Sequence, residues 1–189
     1  KALRDLGYDF NSAVADLIDN SITQGKAKNL FIYFDKIRVK SDEKIVFRLF
    51  DDGIGMEGKL LQEAMRIGSE NDSYSEGDLS KYGMGMKTAS LSQCDVLTVI
   101  SKAENRYRAG YKWDMHFINA KNDWMLLKLD NTEIITEIDI NAGLFNEMFG
   151  DKSSEFFNAP SWTLVAWDDL SDIETQYNSR VSKGFSDRF

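Results

Sequence analysis

The stretch IVFRLFDDGIGM, residues 45–56, sets the reading of this chain. Ile45–Asp51 is a β-rich apolar run, and glycines follow at Gly53 and Gly55. Glycine permits a tight turn at a strand end and lets a ligand come close to the main chain. Asp51 directly follows Phe47–Phe50 and is expected to be partly buried. A buried carboxylate needs a donor, and the exocyclic amine of a base is one. A plain loop from strand to helix fits the same residues.

Working upstream, Asn29–Lys36 (NLFIYFDK) is a second β-rich run, and Ser41, Asp42 and Glu43 read as the turn of an antiparallel pair. Before it, Phe10, Ala13, Val14, Leu17, Ile18 and Ile22 recur at helical spacing over Phe10–Thr23, with Gly25 as a stop. Asp16, Asp19, Asn20 and Thr23 form one stripe opposite the apolar one. A carboxylate and a carboxamide one turn apart can hold a hard cation through oxygen and orient a water. A solvated helix face is the other reading of that stripe.

Working downstream, a helix is predicted over Glu57–Ile67, with Leu61, Ala64 and Met65 on one face. Residues 69–82 (SENDSYSEGDLSKY) are small and polar and predict a mobile loop. In KYGMGMKTAS, residues 81–90, glycines one residue apart precede a lysine and helix formers. That arrangement suits a phosphate cradle at a helix start, although Gly-x-Gly alone is a weak signal. It is not the P-loop pattern, and it lacks the strand-first context of a dinucleotide fold. Further strands are predicted at Val96–Lys102, Arg106–Trp113, Trp124–Leu129, Ile134–Ile140 and Thr163–Trp167. Glu147–Asn158 reads as an irregular or short helical connection, and residues 171–189 as a possible trailing segment. The expected class is α+β, a two-layer sandwich of one mixed, mostly antiparallel sheet covered by helices on one face.

The 189 residues fit one domain, and 42% hydrophobic with 29% charged residues is ordinary for a globular chain. One cysteine, Cys94, and one histidine, His116, cannot build a zinc cluster. A buried Cys94 and a structural or surface His116 are expected. The net charge of −8 repels phosphate backbones, so this domain alone is not expected to bind nucleic acid directly. No apolar run approaches membrane-spanning length. The chain opens on Lys1, which reads as a fragment of a larger protein, and an intracellular, cytoplasmic location is expected.

Taken in order, AVADLIDNS (13–21), DDGIGM (51–56) and YGMGMKTAS (82–90) resemble the GHKL superfamily, which includes DNA gyrase B, the large heat-shock chaperones, histidine kinases, MutL and the MORC ATPases. The nearest resemblance is to the MORC-like and chaperone-like branch, over residues 10–168. It implies a Bergerat fold with ATP between helices and sheet. Carried over by position, Asn20 ligates Mg²⁺, Asp51 accepts from the adenine amino group, and Gly53, Gly55 and Met56 shape the adenine pocket. Backbone N–H groups of Gly83, Met84, Gly85, Met86 and Lys87 hold phosphates, Thr88 adds a hydroxyl, and residues 69–82 form the ATP lid. Thr163 matches a late threonine near adenine, although Trp162 stands where glycine is usual.

Asp16 departs from the family, whose hydrolysing members place glutamate there as general base. Aspartate is one methylene shorter, and catalysis is steeply sensitive to such displacement. The resemblance therefore implies Mg-dependent ATP binding with slow hydrolysis, driving lid closure and dimerisation of a larger protein. A non-hydrolysing nucleotide-gated switch is the alternative, and a histidine-kinase catalytic domain a weaker one. A lysine for the γ-phosphate is expected from a following domain.

Overall fold

Two ten-residue strands, β1 (Leu30–Val39) and β2 (Asp42–Asp51), pair antiparallel with Leu30 opposite Asp51. They begin a six-stranded sheet in the computed structural model, which describes residues 9–39, 42–66, 86 and 89–170. The others are β3 (Val96–Lys102), β4 (Ala109–Asp114), β5 (Leu127–Lys128) and β6 (Trp162–Asp168), in the order β1-β2-β6-β3-β4-β5. Every described pairing is antiparallel, so the expected α+β class with a mostly antiparallel sheet holds, with no parallel pair among the described strands. The last described strand, β6, lies between β2 and β3 at the middle of the sheet.

Alternate side chains along a strand point to opposite faces, and the core divides accordingly. Phe47, Leu49, Leu97, Val99, Val165 and Trp167 share one cluster with Ala13, Leu17, Leu61 and Met65. Helix α1 (Phe10–Asp19) and helix α2 (Gly58–Met65) cover this face, together with a helical stretch over 89–93. Asp9 caps α1 by accepting from the Ser12 N–H at 2.9 Å. Trp113 Nε1 donates to the Met65 carbonyl at 2.7 Å and ties the end of α2 to β4. A short helix α3 (Met115–Lys121) follows β4 and buries Ile118 in the same core.

The second face carries its own cover, so the expectation of helices on one face is corrected. Helix α4 (Asn131–Phe149) and helix α5 (Ser153–Asn158) pack there over Phe50, Ile100, Trp162, Leu164 and Ala166. Residues 134–140, expected as a strand, lie inside α4. The side chain of Asp130 accepts from the Glu133 N–H while Glu133 accepts from the Asp130 N–H, a capping box that starts this helix. Phe145 and Phe156 stack at 5.4 Å, with Phe31, Phe50 and Phe149 around them. Arg48 is buried on this face. Its guanidinium donates to Asn141 Oδ1 at 2.6 Å, to the Trp167 carbonyl at 2.7 Å and to Asp168 Oδ1 at 2.6 Å. A buried guanidinium needs such a complete set of acceptors.

The predicted strand Trp124–Leu129 shrinks to β5, and Arg106–Trp113 becomes β4 from Ala109. Cys94 is buried, and His116 is exposed beside Asp169 at 3.2 Å. Among the described residues no helix is long and apolar enough to cross a membrane.

Candidate functional site

Asp51, Thr163 and Ser101 lie side by side across three neighbouring strands. Asp51 of β2 faces Thr163 of β6, which faces Ser101 of β3. They continue the rows Phe47–Leu49, Val165–Trp167 and Leu97–Val99, so they belong to the face under α1 and α2. All three are buried. At this end of the sheet the apolar rows give way to polar groups, and a cavity opens above them. It is lined by Leu17, Asn20, Ser21, Gly25, Ile54, Gly55, Met56, Met86 and Val165, together with Asp51 and Thr163.

The Asp51 carboxylate accepts from Ser21 Oγ and from the Gly53 N–H, each at 3.0 Å. Burial is the largest influence on it and lifts its carboxyl to about 6 from an ordinary 3.8, against the opposing pull of those two hydrogen bonds. At neutral pH it is an acceptor facing a cavity, able to take an N–H donor from a ligand. Asp52 points elsewhere. It accepts from the Lys28 and Asn29 N–H groups and from Asn29 Nδ2 at 2.7–2.9 Å; burial pushes its carboxyl up, but these bonds together outweigh burial and hold it below the usual range. The two aspartates of the motif thus divide the work: Asp51 faces the cavity and Asp52 anchors the segment leading into β1.

The glycines of the turn act through contact. The Ile54 N–H donates to the Gly25 carbonyl at 2.8 Å, and a Cβ on Gly53 would press into that same oxygen. Gly55 has φ +64°, and a Cβ there would collide with the Lys102 carbonyl. The DDGIGM turn is therefore wedged between the end of the first helix and the end of β3. The Met56 N–H donates to Ser101 Oγ at 2.8 Å and locks the turn to β3.

The predicted helix Phe10–Thr23 changes form at Asn20. Asn20–Gln24 is a π-helical turn, closed by the Gly25 N–H donating to the Asn20 carbonyl at 2.9 Å. Such wide turns insert one extra residue into a helix and recur at functional sites. Here the turn brings Asn20, Ser21 and Gly25 onto the cavity wall. Asn20 lies on the wall, and its carboxamide makes no hydrogen bond to a described residue. Its oxygen suits a hard cation that takes its remaining ligands from phosphate and water. Asp16, one turn earlier, is half-buried and is not on the cavity wall. Among the described residues no group of three His, Cys, Asp or Glu side chains converges.

Of the expected site residues, the structure gathers Asn20, Asp51, Gly55, Met56, Met86 and Thr163 around one cavity, with Gly53 behind the wall. Gly83, Met84, Gly85, Lys87 and Thr88, the lid 69–82 and the segment 171–189 lie outside the described residues. Trp162 is fully buried on the opposite face, where its Nε1 donates to the Phe157 carbonyl at 3.2 Å. Ser21 and Ser101 were not expected. Ser101 had a signal: it is polar at the third slot of a core-facing row begun by Leu97 and Val99.

Residues 8–143 match the model of a family described as histidine kinase-, DNA gyrase B-, and HSP90-like ATPase. Three proteins of Arabidopsis thaliana are similar over shorter spans. Protein MICRORCHIDIA 3 is 32% identical over 79 residues, which are 42% of this chain and 13% of that protein. Protein MICRORCHIDIA 2 is 30% identical over 79 residues, and Protein MICRORCHIDIA 6 is 28% identical over 95, or 50% of this chain. The matches thus span only 12–14% of those relatives' lengths. With the cavity at the end of helix α1, the glycine turn at the end of β2 and the antiparallel sheet beneath, the family match fixes the assignment: the chain belongs to the histidine kinase-, DNA gyrase B-, and HSP90-like ATPase family and is an ATP-binding domain of it.

Proposed function

We propose that this domain binds Mg-ATP in the cavity between the π-turn and the DDGIGM turn, hydrolyses it slowly, and through lid closure drives dimerisation of a larger protein. The observation that carries the reading is Asp51, a buried acceptor on the wall of a cavity shared with Asn20 and Thr163. Asp51 takes the adenine amino group, Gly53 and Gly55 shape the pocket by letting the turn pack against Gly25 and Lys102, and Met56 and Met86 supply apolar contact. Asn20 holds Mg²⁺ through its carboxamide oxygen. Bound there, the ion neutralises phosphate charge. Gly83, Met84, Gly85, Met86 and Lys87 cradle the phosphates, with Thr88 adding a hydroxyl and residues 69–82 closing over them. Asp16 is the base for the attacking water. The acidic domain takes no direct part in nucleic-acid binding.

Phosphate release from Mg-ATP by the full-length protein tests this reading. Turnover above that of an Asp16→Ala variant supports it, and equal rates from the two remove hydrolysis. The second reading, a switch that binds ATP and leaves it intact, is favoured by one observation: Asp16 is off the cavity wall on which Asn20 lies. Tight binding with the γ-phosphate intact after long incubation selects that reading.

A further inference from the structure

We propose that Ser101 is a positioning residue that makes the cavity select adenine over guanine, by turning the Thr163 hydroxyl into a donor and fixing the Met56 end of the turn. The inference rests on the reading that Asp51 takes the amino group of the base. Ser101 is fully buried, lies beside Thr163 on the next strand and is not on the cavity wall, so it acts on a ligand only through its neighbours.

The hydroxyl of Ser101 has one proton and two lone pairs. The Met56 N–H fills one lone pair at 2.8 Å. Two oxygens compete for the proton: Thr163 Oγ1 at 2.9 Å and the Trp162 carbonyl at 3.1 Å. When Ser101 donates to the nearer of them, Thr163 Oγ1 has received its hydrogen bond and its own proton turns toward the cavity it lines. The wall then presents an acceptor, Asp51, beside a donor, Thr163, on adjacent strands. Adenine offers the complement, an amino donor beside a ring-nitrogen acceptor. Guanine offers the reverse, a carbonyl beside a ring N–H, and would set acceptor against acceptor and donor against donor.

Buried polar groups left unpaired are what makes a hydrogen-bonding site reject the wrong partner. With Ser101 gone, Thr163 rotates freely and donates or accepts as the ligand requires, so the rejection of guanine weakens. The Met56 N–H loses its acceptor at the same time, and the turn held against Lys102 loosens at its far end.

Calorimetric titration of Mg-ATP and Mg-GTP into the full chain and its Ser101→Ala, Thr163→Val and doubly substituted forms tests the proposal. The expected result is a wild-type preference for ATP that falls at least tenfold in Ser101→Ala. The double variant should be no less selective than Thr163→Val alone, because Ser101 works through Thr163. Ser101→Cys, nearly isosteric and a weak donor, guards against a folding defect and should show the same direction. A Ser101→Ala protein that loses ATP and GTP affinity equally, or loses only thermal stability, overturns the proposal and leaves the assignment of Asp51 to the base standing. A wild-type protein that binds no ATP removes the adenine reading and this proposal with it.

Discussion

Burial places the Asp51 carboxyl at about 6, well above its ordinary 3.8, so proton binding here links fold and ligand. The folded chain holds this proton more tightly than the unfolded one. Its contribution to stability is therefore full below about pH 4 and is lost as pH rises through 6. A base that donates to the carboxylate runs the other way. Nucleotide affinity should fall by up to about tenfold per pH unit below 6 and level off above 7. Calorimetry across pH 5–8 on wild type and Asp51→Asn isolates this group, since the phosphates titrate identically in both. Two superimposable profiles would remove Asp51 from the site. Gly55 permits a second test at the same scale. Gly55→Ala must hold φ +64° and push against the Lys102 carbonyl. Strain of about 1–3 kcal/mol follows, and it falls on the turn. Thermal melting should drop by several degrees and ATP affinity by tenfold or more, whereas an unchanged melt would show that the turn yields easily.

At the scale of elements, the helix α4 was the hardest to read. Ile134, Ile135, Thr136, Ile138 and Ile140 are β-branched residues of the kind strands favour. The buried positions are Ile134, Ile138, Asn141 and Phe145, at helical spacing, but the polar Asn141 interrupts them and hides the period. Its burial makes sense only beside Arg48, 93 positions away, which a sequence pattern cannot show. The Asp130–Glu133 box was the legible clue. Asp130→Ala should cost about 1 kcal/mol, or roughly 2–4 °C in a domain of this size, and leave ATP affinity alone because α4 covers the face opposite the cavity. A matching loss of ATP affinity would show that the two faces are coupled. The site elements were easier. A strand running into DDGIGM fixes its own turn through local chemistry, so Asp51, Gly53 and Gly55 could be placed from the sequence. Ser21 could not, because it gains its role from a partner 30 positions away, and Ser101 showed only as a polar break in a core-facing row, its partner lying 62 positions away. The π-turn at Asn20 was likewise invisible, since its residues suit an ordinary helix.

The whole molecule is assembled around its last described strand. The family match ends at residue 143, yet β6, at Trp162–Asp168, separates β2 from β3 and carries Thr163 into the cavity. Without it, β1–β2 and β3–β4–β5 are two fragments with no described hydrogen-bonded strand between them. Trp162, Leu164, Val165, Ala166 and Trp167 are all buried, and they feed both cores. Losing them would expose apolar surface on both faces at about 25 cal/mol per Å², more than a marginally stable domain can absorb. The Arg48 guanidinium would also lose its Trp167 and Asp168 acceptors while remaining charged. A chain cut after Ala159 should therefore show no cooperative thermal transition and no ATP binding, although it retains every residue of the matched span and all of α4. Circular dichroism melting with and without Mg-ATP checks this. A cooperative melt that ATP still shifts upward would mean that β1–β2 and β3–β4–β5 can close on each other directly, and that β6 is an accessory to the fold instead of its keystone.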